Sequence, residues 1–262
     1  MDLDLGGLHA LVCGASQGIG RACALELAQL GANVTVLARR EDVLQALADE
    51  LPRIHAAQKH GYIAADSGDI DTLRAQAEAL AAGAPVHILV NNSGGPPPGP
   101  VLDAKVDAFL DAYRKHLLAN HVLAEAVIPG MRAEGYGRII NIISTSVKEP
   151  IVGLGVSNTT RWAVASWAKT LATELAPFGI TVNNVLPGST KTPRIEQIVA
   201  TRAQKAGRSV DETQRAMEQE VPMRRFAEPS EIAAAVAFLA SPAAAYITGI
   251  NLPVDGGRTR SL

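Results

Sequence analysis

Seven short, continuous apolar runs alternate with longer amphipathic ones along this chain, and that alternation restricts the fold more than any single motif. Ala10-Leu11-Val12-Cys13 reads as a buried strand, and Gly18 to Leu30 as the helix that follows. Asn33 to Ala38 is a second strand and Glu41 to Leu51 a second helix. Tyr62 to Ala65 and Ile70 to Ala82 form the third pair. Val86 to Val90 precedes a helix from about Val106 to Ala133, and Arg138 to Ile143 precedes one from about Asn158 to Ala176. Ile180 to Val185 and Ile250 to Val254 are the last two strands. Runs without in-out alternation imply strands covered on both faces, and strand–helix alternation implies parallel pairing. The expected fold is α/β: a doubly wound parallel sheet of about seven strands with helices on both faces. No Ser/Gly-rich linker divides the chain, so residues 1–262 are expected to form one domain. Its one long excursion, Thr192 to Pro222, carries two polar helical stretches and suits a lid.

Bulk properties exclude several functions. A net charge of −2 and 4% aromatic residues supply neither a basic field nor a stacking surface, so nucleic acid is not an expected partner. No apolar run reaches the roughly 20 residues of a membrane span, and no basic segment precedes an apolar one as in a signal peptide. Two cysteines, Cys13 and Cys23, suit a reducing cytoplasm rather than a disulfide framework. The six histidines show no zinc-ligand spacing, so no metal site is expected.

The first strand runs into Gly14-Ala15-Ser16-Gln17-Gly18-Ile19-Gly20, which opens the first helix. Glycine permits the tight turn and close approach of a pyrophosphate, and the helix N-terminus offers that phosphate N–H groups and partial positive charge. Strand two ends Ala38-Arg39-Arg40. An acidic residue there binds a ribose 2′-hydroxyl and repels a 2′-phosphate. Alanine followed by two arginines favours NADP(H) over NAD(H), although a basic pair also suits a solvated strand end. Asn91-Asn92-Ser93-Gly94-Gly95 ends strand four, where small residues line a cofactor cleft. The following Pro96-Pro97-Pro98-Gly99-Pro100 is stiff, and is either one wall of the substrate cleft or a plain surface connection.

These segments, in this order, resemble those of the short-chain dehydrogenase/reductase family, and the resemblance spans nearly the whole chain. Gly14, Gly18 and Gly20 match its glycine motif, with Ser16, Gln17 and Ile19 between them and Cys13 where the family has threonine. Asp66 matches the acidic residue that contacts adenine. Asn91-Asn92-Ser93-Gly94 resembles the Asn-Asn-Ala-Gly element. Pro187-Gly188 with Thr192 resembles the segment that holds the nicotinamide carboxamide, and Val254-Asp255-Gly256-Gly257 the C-terminal signature. The nearest likeness within the family is to 3-oxoacyl-(acyl carrier protein) reductases. The resemblance implies a single-domain Rossmann fold, a small carbonyl, alcohol or acyl substrate, and a homodimer or homotetramer built through the helices after strands four and five.

At the catalytic positions the chain departs from that pattern. The family uses Asn, Ser, Tyr and Lys. Ser144 falls on the serine, but the tyrosine position is Ser157, the lysine position is Arg161, and the asparagine position counts back to His116. A phenol has a reference pKa near ~10, whereas a serine hydroxyl is a far weaker acid. Arg161 stays protonated, so it stabilises charge but shuttles no proton. His116 is the nearby side chain expected to titrate near neutrality, and a water between it and substrate would complete a relay. Ser157 also fits a capping residue at a helix start. Two functions stay open: an NADP(H)-dependent carbonyl/hydroxyl oxidoreductase with an altered proton relay, or a catalytically impaired nucleotide-binding homologue serving as a sensor or assembly partner.

Overall fold

The computed structural model describes residues 1–261. Seven parallel strands form one sheet in the order β3-β2-β1-β4-β5-β6-β7. They are β1 His9–Cys13, β2 Asn33–Ala38, β3 His60–Ala64, β4 Ile88–Asn91, β5 Gly137–Ile142, β6 Ile180–Pro187 and β7 Asn251–Val254. The helices are α1 Gly18–Gln29, α2 Glu41–Glu50, α3 Ile70–Gly83, α4 Val106–Tyr113, α5 Ala119–Glu134, α6 Gly155–Leu175, α7 Pro193–Ala206, α8 Val210–Gln219 and α9 Pro229–Ala240. The doubly wound sheet is the one expected from the alternation, and the single-domain Rossmann architecture the one the resemblance implies.

The sheet separates two apolar layers. On one face Ala24, Leu27 and Ala28 of α1 and Ile232, Val236 and Ala237 of α9 pack on Val12, Val34 and Val90. On the other, Leu73 and Ala77 of α3, Val122, Leu123 and Val127 of α5, and Ala168 and Ala172 of α6 cover Leu11, Leu89, Ile139 and Val182. Small alanines at the helix faces bring helix and sheet close, and complete burial of such side chains is what drives the fold together. The order reverses between β1 and β4, the two strands that lead away in opposite directions. A crevice opens beyond the C-terminal ends of the strands at such a point.

A polar chain crosses this apolar sheet. Asn91 donates through Nδ2 to Oδ1 of Asn141 at 2.9 Å, Asn141 to Asn184 at 2.9 Å, and Asn184 to Asn251 at 2.8 Å. These residues share one register row, with Asn91 opposite Asn141, Asn141 opposite Asn184, and Asn184 opposite Asn251. The ladder ties β4, β5, β6 and β7 together directly below the crevice.

Helix α9 was not anticipated from the sequence, and two others differ from the expectation. The segment expected as one helix from Val106 to Ala133 is interrupted: α4 passes through a wide π-turn at Arg114–Leu118 before α5 begins. The apolar periodicity is continuous across that turn, so the pattern gave no sign of it. The helix expected from Asn158 begins at Gly155 instead. Gly155 permits the earlier start, because a Cβ there would stand 2.6 Å from the Val101 backbone. Asn158 donates to the Ile151 carbonyl at 2.9 Å, folding the preceding loop back on the first turn. Ser157 therefore lies inside the helix and caps nothing.

Candidate active site

The glycine turn between β1 and α1 is close-packed from behind. Gly14 and Gly18 have φ of +60° and +58°, a left-handed conformation that suits glycine. A Cβ on Gly14 would stand 2.7 Å from Asn92, and one on Gly20 would strike the Gly14 carbonyl. Asn92 locks the contact by donating to the carbonyls of Cys13 and Gly14, both at 3.3 Å. Gln17 precedes α1 without capping it by its side chain, so the first N–H groups of the helix are left for a ligand.

Beyond this turn lies a cavity of about 980 Å³ along the C-terminal ends of β1 to β6. Gly14, Ser16, Gln17, Gly18 and Ile19 line it at β1, Arg39 and Arg40 at β2, and Asp66 at β3. Asn92, Ser93 and Gly94 follow at β4, Ser144 at β5, and Pro187, Gly188 and Thr192 at β6. His116, Ser157 and Arg161 reach it from the flanking helices. Of the site residues expected from sequence, Gly20 alone stands behind the wall, where it lets α1 approach the turn.

At the β2 end, Arg40 donates to Ser16 Oγ at 3.3 Å and Gln17 Oε1 at 3.1 Å, and so lies across the glycine turn. Arg39 is exposed and 3.9 Å from Asp66. At the other end, Ser157 and Arg161 sit one helical turn apart on the same side of α6. Arg161 is buried and donates through Nη1 to the Ile142 carbonyl at 3.1 Å. Ser144 Oγ accepts from the Ser146 N–H at 3.1 Å, which leaves the Ser144 proton free for a ligand oxygen. None of the chain's four tyrosines lines the cavity.

His116 corrects an expectation. It sits in the π-turn, 2% exposed, with Nδ1 2.6 Å from Ser93 Oγ. Burial, with the positive charges of Arg161 and Lys115, pushes its pKa down to about 2. The imidazole is neutral at physiological pH, and the expected titration near neutrality does not occur. Burial first, and then the charge of Arg194, lowers the Arg161 pKa to about 10, so that guanidinium stays charged at neutral pH.

Sequence reasoning passed over Arg194 as one charge among many in the lid. It extends from α7 to the Pro96 carbonyl at 2.7 Å, tying that helix to the proline loop. That loop is a cavity wall, since Gly94 to Pro97 line the cleft.

Comparison with known proteins agrees with this geometry. Residues 14–259 match the enoyl-(acyl carrier protein) reductase family. A 3-oxoacyl-(acyl-carrier-protein) reductase of Vibrio harveyi is 35% identical over 263 residues, covering 97% of this chain and 98% of that one. The chain belongs to the short-chain dehydrogenase/reductase family of oxidoreductases. Among solved members, the L-sorbose reductase of Gluconobacter frateurii, complexed with NADPH and L-sorbose, has a TM-score of 0.92 at 31% identity and full coverage of both chains. An actinorhodin polyketide ketoreductase with NADPH has a TM-score of 0.89 at 32% identity, covering 97% of each. The residues of this short-chain dehydrogenase/reductase fit such a dinucleotide: the uncapped α1 N-terminus and glycine turn suit its pyrophosphate, and the arginines after β2 suit a phosphate on the adenosine ribose. No helix among the described residues is long and apolar enough to cross a membrane.

Proposed function

We propose that this protein is an NADP(H)-dependent oxidoreductase that interconverts a carbonyl and a hydroxyl, 3-oxoacyl reductase-like, with an altered proton relay. The observation that carries this reading is the single cavity joining the glycine turn to Ser144, Ser157 and Arg161. The cofactor supplies hydride chemistry when bound. Ser144 has its own proton free to donate to a carbonyl oxygen, and the Ser157 hydroxyl has no hydrogen-bond partner among the described residues. Arg161 stabilises negative charge as it develops on that oxygen, a preorganised interaction of the kind that dominates many enzymes. Neutral His116 orients Ser93 and does not act as the acid, which leaves water admitted to the cavity as the proton source.

Preference for NADP(H) over NAD(H) is supported by Ala38 and the two arginines after it, and by NADPH in both solved relatives. Assembly as a homodimer or homotetramer is supported by apolar side chains left exposed on neighbouring helices. Val106 and Leu110 of α4 are 73% and 62% exposed, and Trp162 of α6 is 50% exposed. Buried free Cys13 and Cys23 suit a reducing cytoplasm.

The missing tyrosine favours a second reading, a nucleotide-binding homologue without efficient turnover. Binding of NADPH by fluorescence, run beside NADPH oxidation with a panel of carbonyl compounds, separates the two. Turnover with any carbonyl supports the enzyme, and tight binding without turnover supports the alternative.

A further inference from the structure

The charges on the cavity wall do not balance, and the imbalance is local. Two acids line the cavity and each faces a cation: Asp66 lies 3.9 Å from Arg39, and Asp111 lies 2.8 Å from Lys115. Three guanidiniums remain with no carboxylate within ion-pair distance among the described residues: Arg40, Arg161 and Arg194. Arg40 rests on the glycine turn, where the dinucleotide phosphates belong. The other two line the same cavity from α6 and α7, close enough for the charge of Arg194 to act on Arg161.

Arg161 is only 8% exposed, and its one protein partner is the Ile142 carbonyl. Arg194 crosses from α7 to the Pro96 carbonyl. A guanidinium carries five N–H donors, and each of these side chains uses one donor group on a backbone carbonyl. The remaining donors belong to two like charges in one partly dry cleft. Such a pair is unfavourable until an anion joins it. Its influence is visible in Arg161, whose pKa is held down partly by Arg194. Ser144, the hydroxyl free to meet a carbonyl oxygen, lines the same cavity.

We propose that the substrate is an oxo acid, and the product its hydroxy acid, with a free carboxylate held chiefly by Arg194 while the remaining donors of Arg161, beside it, face the carbonyl oxygen together with Ser144. This rests on the reading of the cavity as a carbonyl-reducing site. It separates this protein from reductases of carrier-bound acyl thioesters, because a neutral thioester gives the two guanidiniums no counter-charge. Arginine forks suit a planar carboxylate, which accepts two parallel N–H bonds. The lid then acts as more than a cover, since Arg194 brings the chief anion contact with α7.

The test is a calorimetric titration of the NADP⁺-loaded protein with two matched pairs of probes: pyruvate and methyl pyruvate, and 3-oxobutanoate and its methyl ester. At least one acid is expected to bind about tenfold or more tighter than its ester, the scale of a charge-assisted hydrogen bond. Arg194→Gln is expected to reduce that ratio to near unity while NADP⁺ affinity stays close to that of the parent. Arg194→Lys, which keeps the charge without the fork, is expected to give an intermediate ratio. Equal binding of acid and ester, binding of neither, or a ratio that survives Arg194→Gln overturns the proposal. Loss of NADP⁺ affinity in Arg194→Gln with the acid preference intact also overturns it, by assigning Arg194 to the cofactor. Failure of the underlying reading looks different, since the parent then oxidises NADPH with no carbonyl compound, whatever the calorimetry shows of acid against ester. The same titrations on the unliganded protein still report whether the arginine pair selects carboxylates.

Discussion

Ser93 Oγ and His116 Nδ1 stand 2.6 Å apart on the cavity wall, and the imidazole in that pair is neutral. Its pKa of about 2 places its titration far below working pH, so it contributes no ionisation near the ordinary histidine value of about 6.5. Arg161 is charged below its pKa of about 10 and neutral above it. The kcat/KM profile is therefore expected to be flat through neutrality and to fall as pH rises through about 10. His116→Ala is expected to lower the rate without changing the shape of the profile. A parental inflection near ~6.5 that disappears in the variant restores the histidine as proton donor.

Replacing Arg39 and Arg40 together by alanine removes both cations after β2. NADPH affinity is expected to fall by about 10- to 100-fold, consistent with loss of charged hydrogen bonds, while NADH affinity barely changes. Fluorescence titrations with both cofactors measure this. Equal losses for the two cofactors contradict a 2′-phosphate contact.

Gly18→Val puts a branched side chain at φ +58°, with its Cβ 3.1 Å from Thr192 Cγ2. The left-handed conformation costs a non-glycine residue about 1–2 kcal/mol, which a core of this size tolerates. NADPH binding is expected to disappear while the circular dichroism spectrum stays close to that of the parent. Parental affinity in this variant places the phosphates elsewhere.

The asparagine ladder gives a prediction of stability alone. Asn141→Leu keeps the branched heavy-atom shape but orphans the Asn91 donor and the Asn184 acceptor, both buried. Each orphaned group is expected to cost on the order of 1–3 kcal/mol, read from denaturant melts. An unchanged midpoint shows that water or rotation of Asn184 satisfies the row.

The parallel sheet was legible because buried parallel strands leave continuous apolar runs, and Asn33–Ala38 falls on its expected bounds, but the strand order that makes the switch point was not. The glycine turn was legible because Gly14 and Gly18 occupy a conformation few other residues tolerate. The π-turn at His116 was hidden, since one extra residue in a helical turn barely disturbs apolar periodicity. The depression of the His116 pKa was hidden too, because it arises from burial and from Arg161, 45 positions away in sequence but adjacent in space. Arg194 had one signal, its place two residues after Thr192 at the mouth of the expected lid. The asparagine row was present as four residues at strand positions, but only the register of β4 to β7 shows that they align.

The central claim is that carbonyl reduction proceeds in this cavity on the charge of Arg161 without a tyrosine acid. The most direct measurement is kcat for NADPH oxidation by the parent, Ser157→Ala and Arg161→Ala, using a carbonyl compound that the parent reduces. Loss of a preorganised oxyanion partner is worth about 10²–10³ in kcat, and that loss is predicted for Arg161→Ala. Ser157→Ala is predicted to lose about tenfold or less, because it removes a positioning hydrogen bond. A parental kcat in Arg161→Ala, or a larger loss in Ser157→Ala than in Arg161→Ala, contradicts the account.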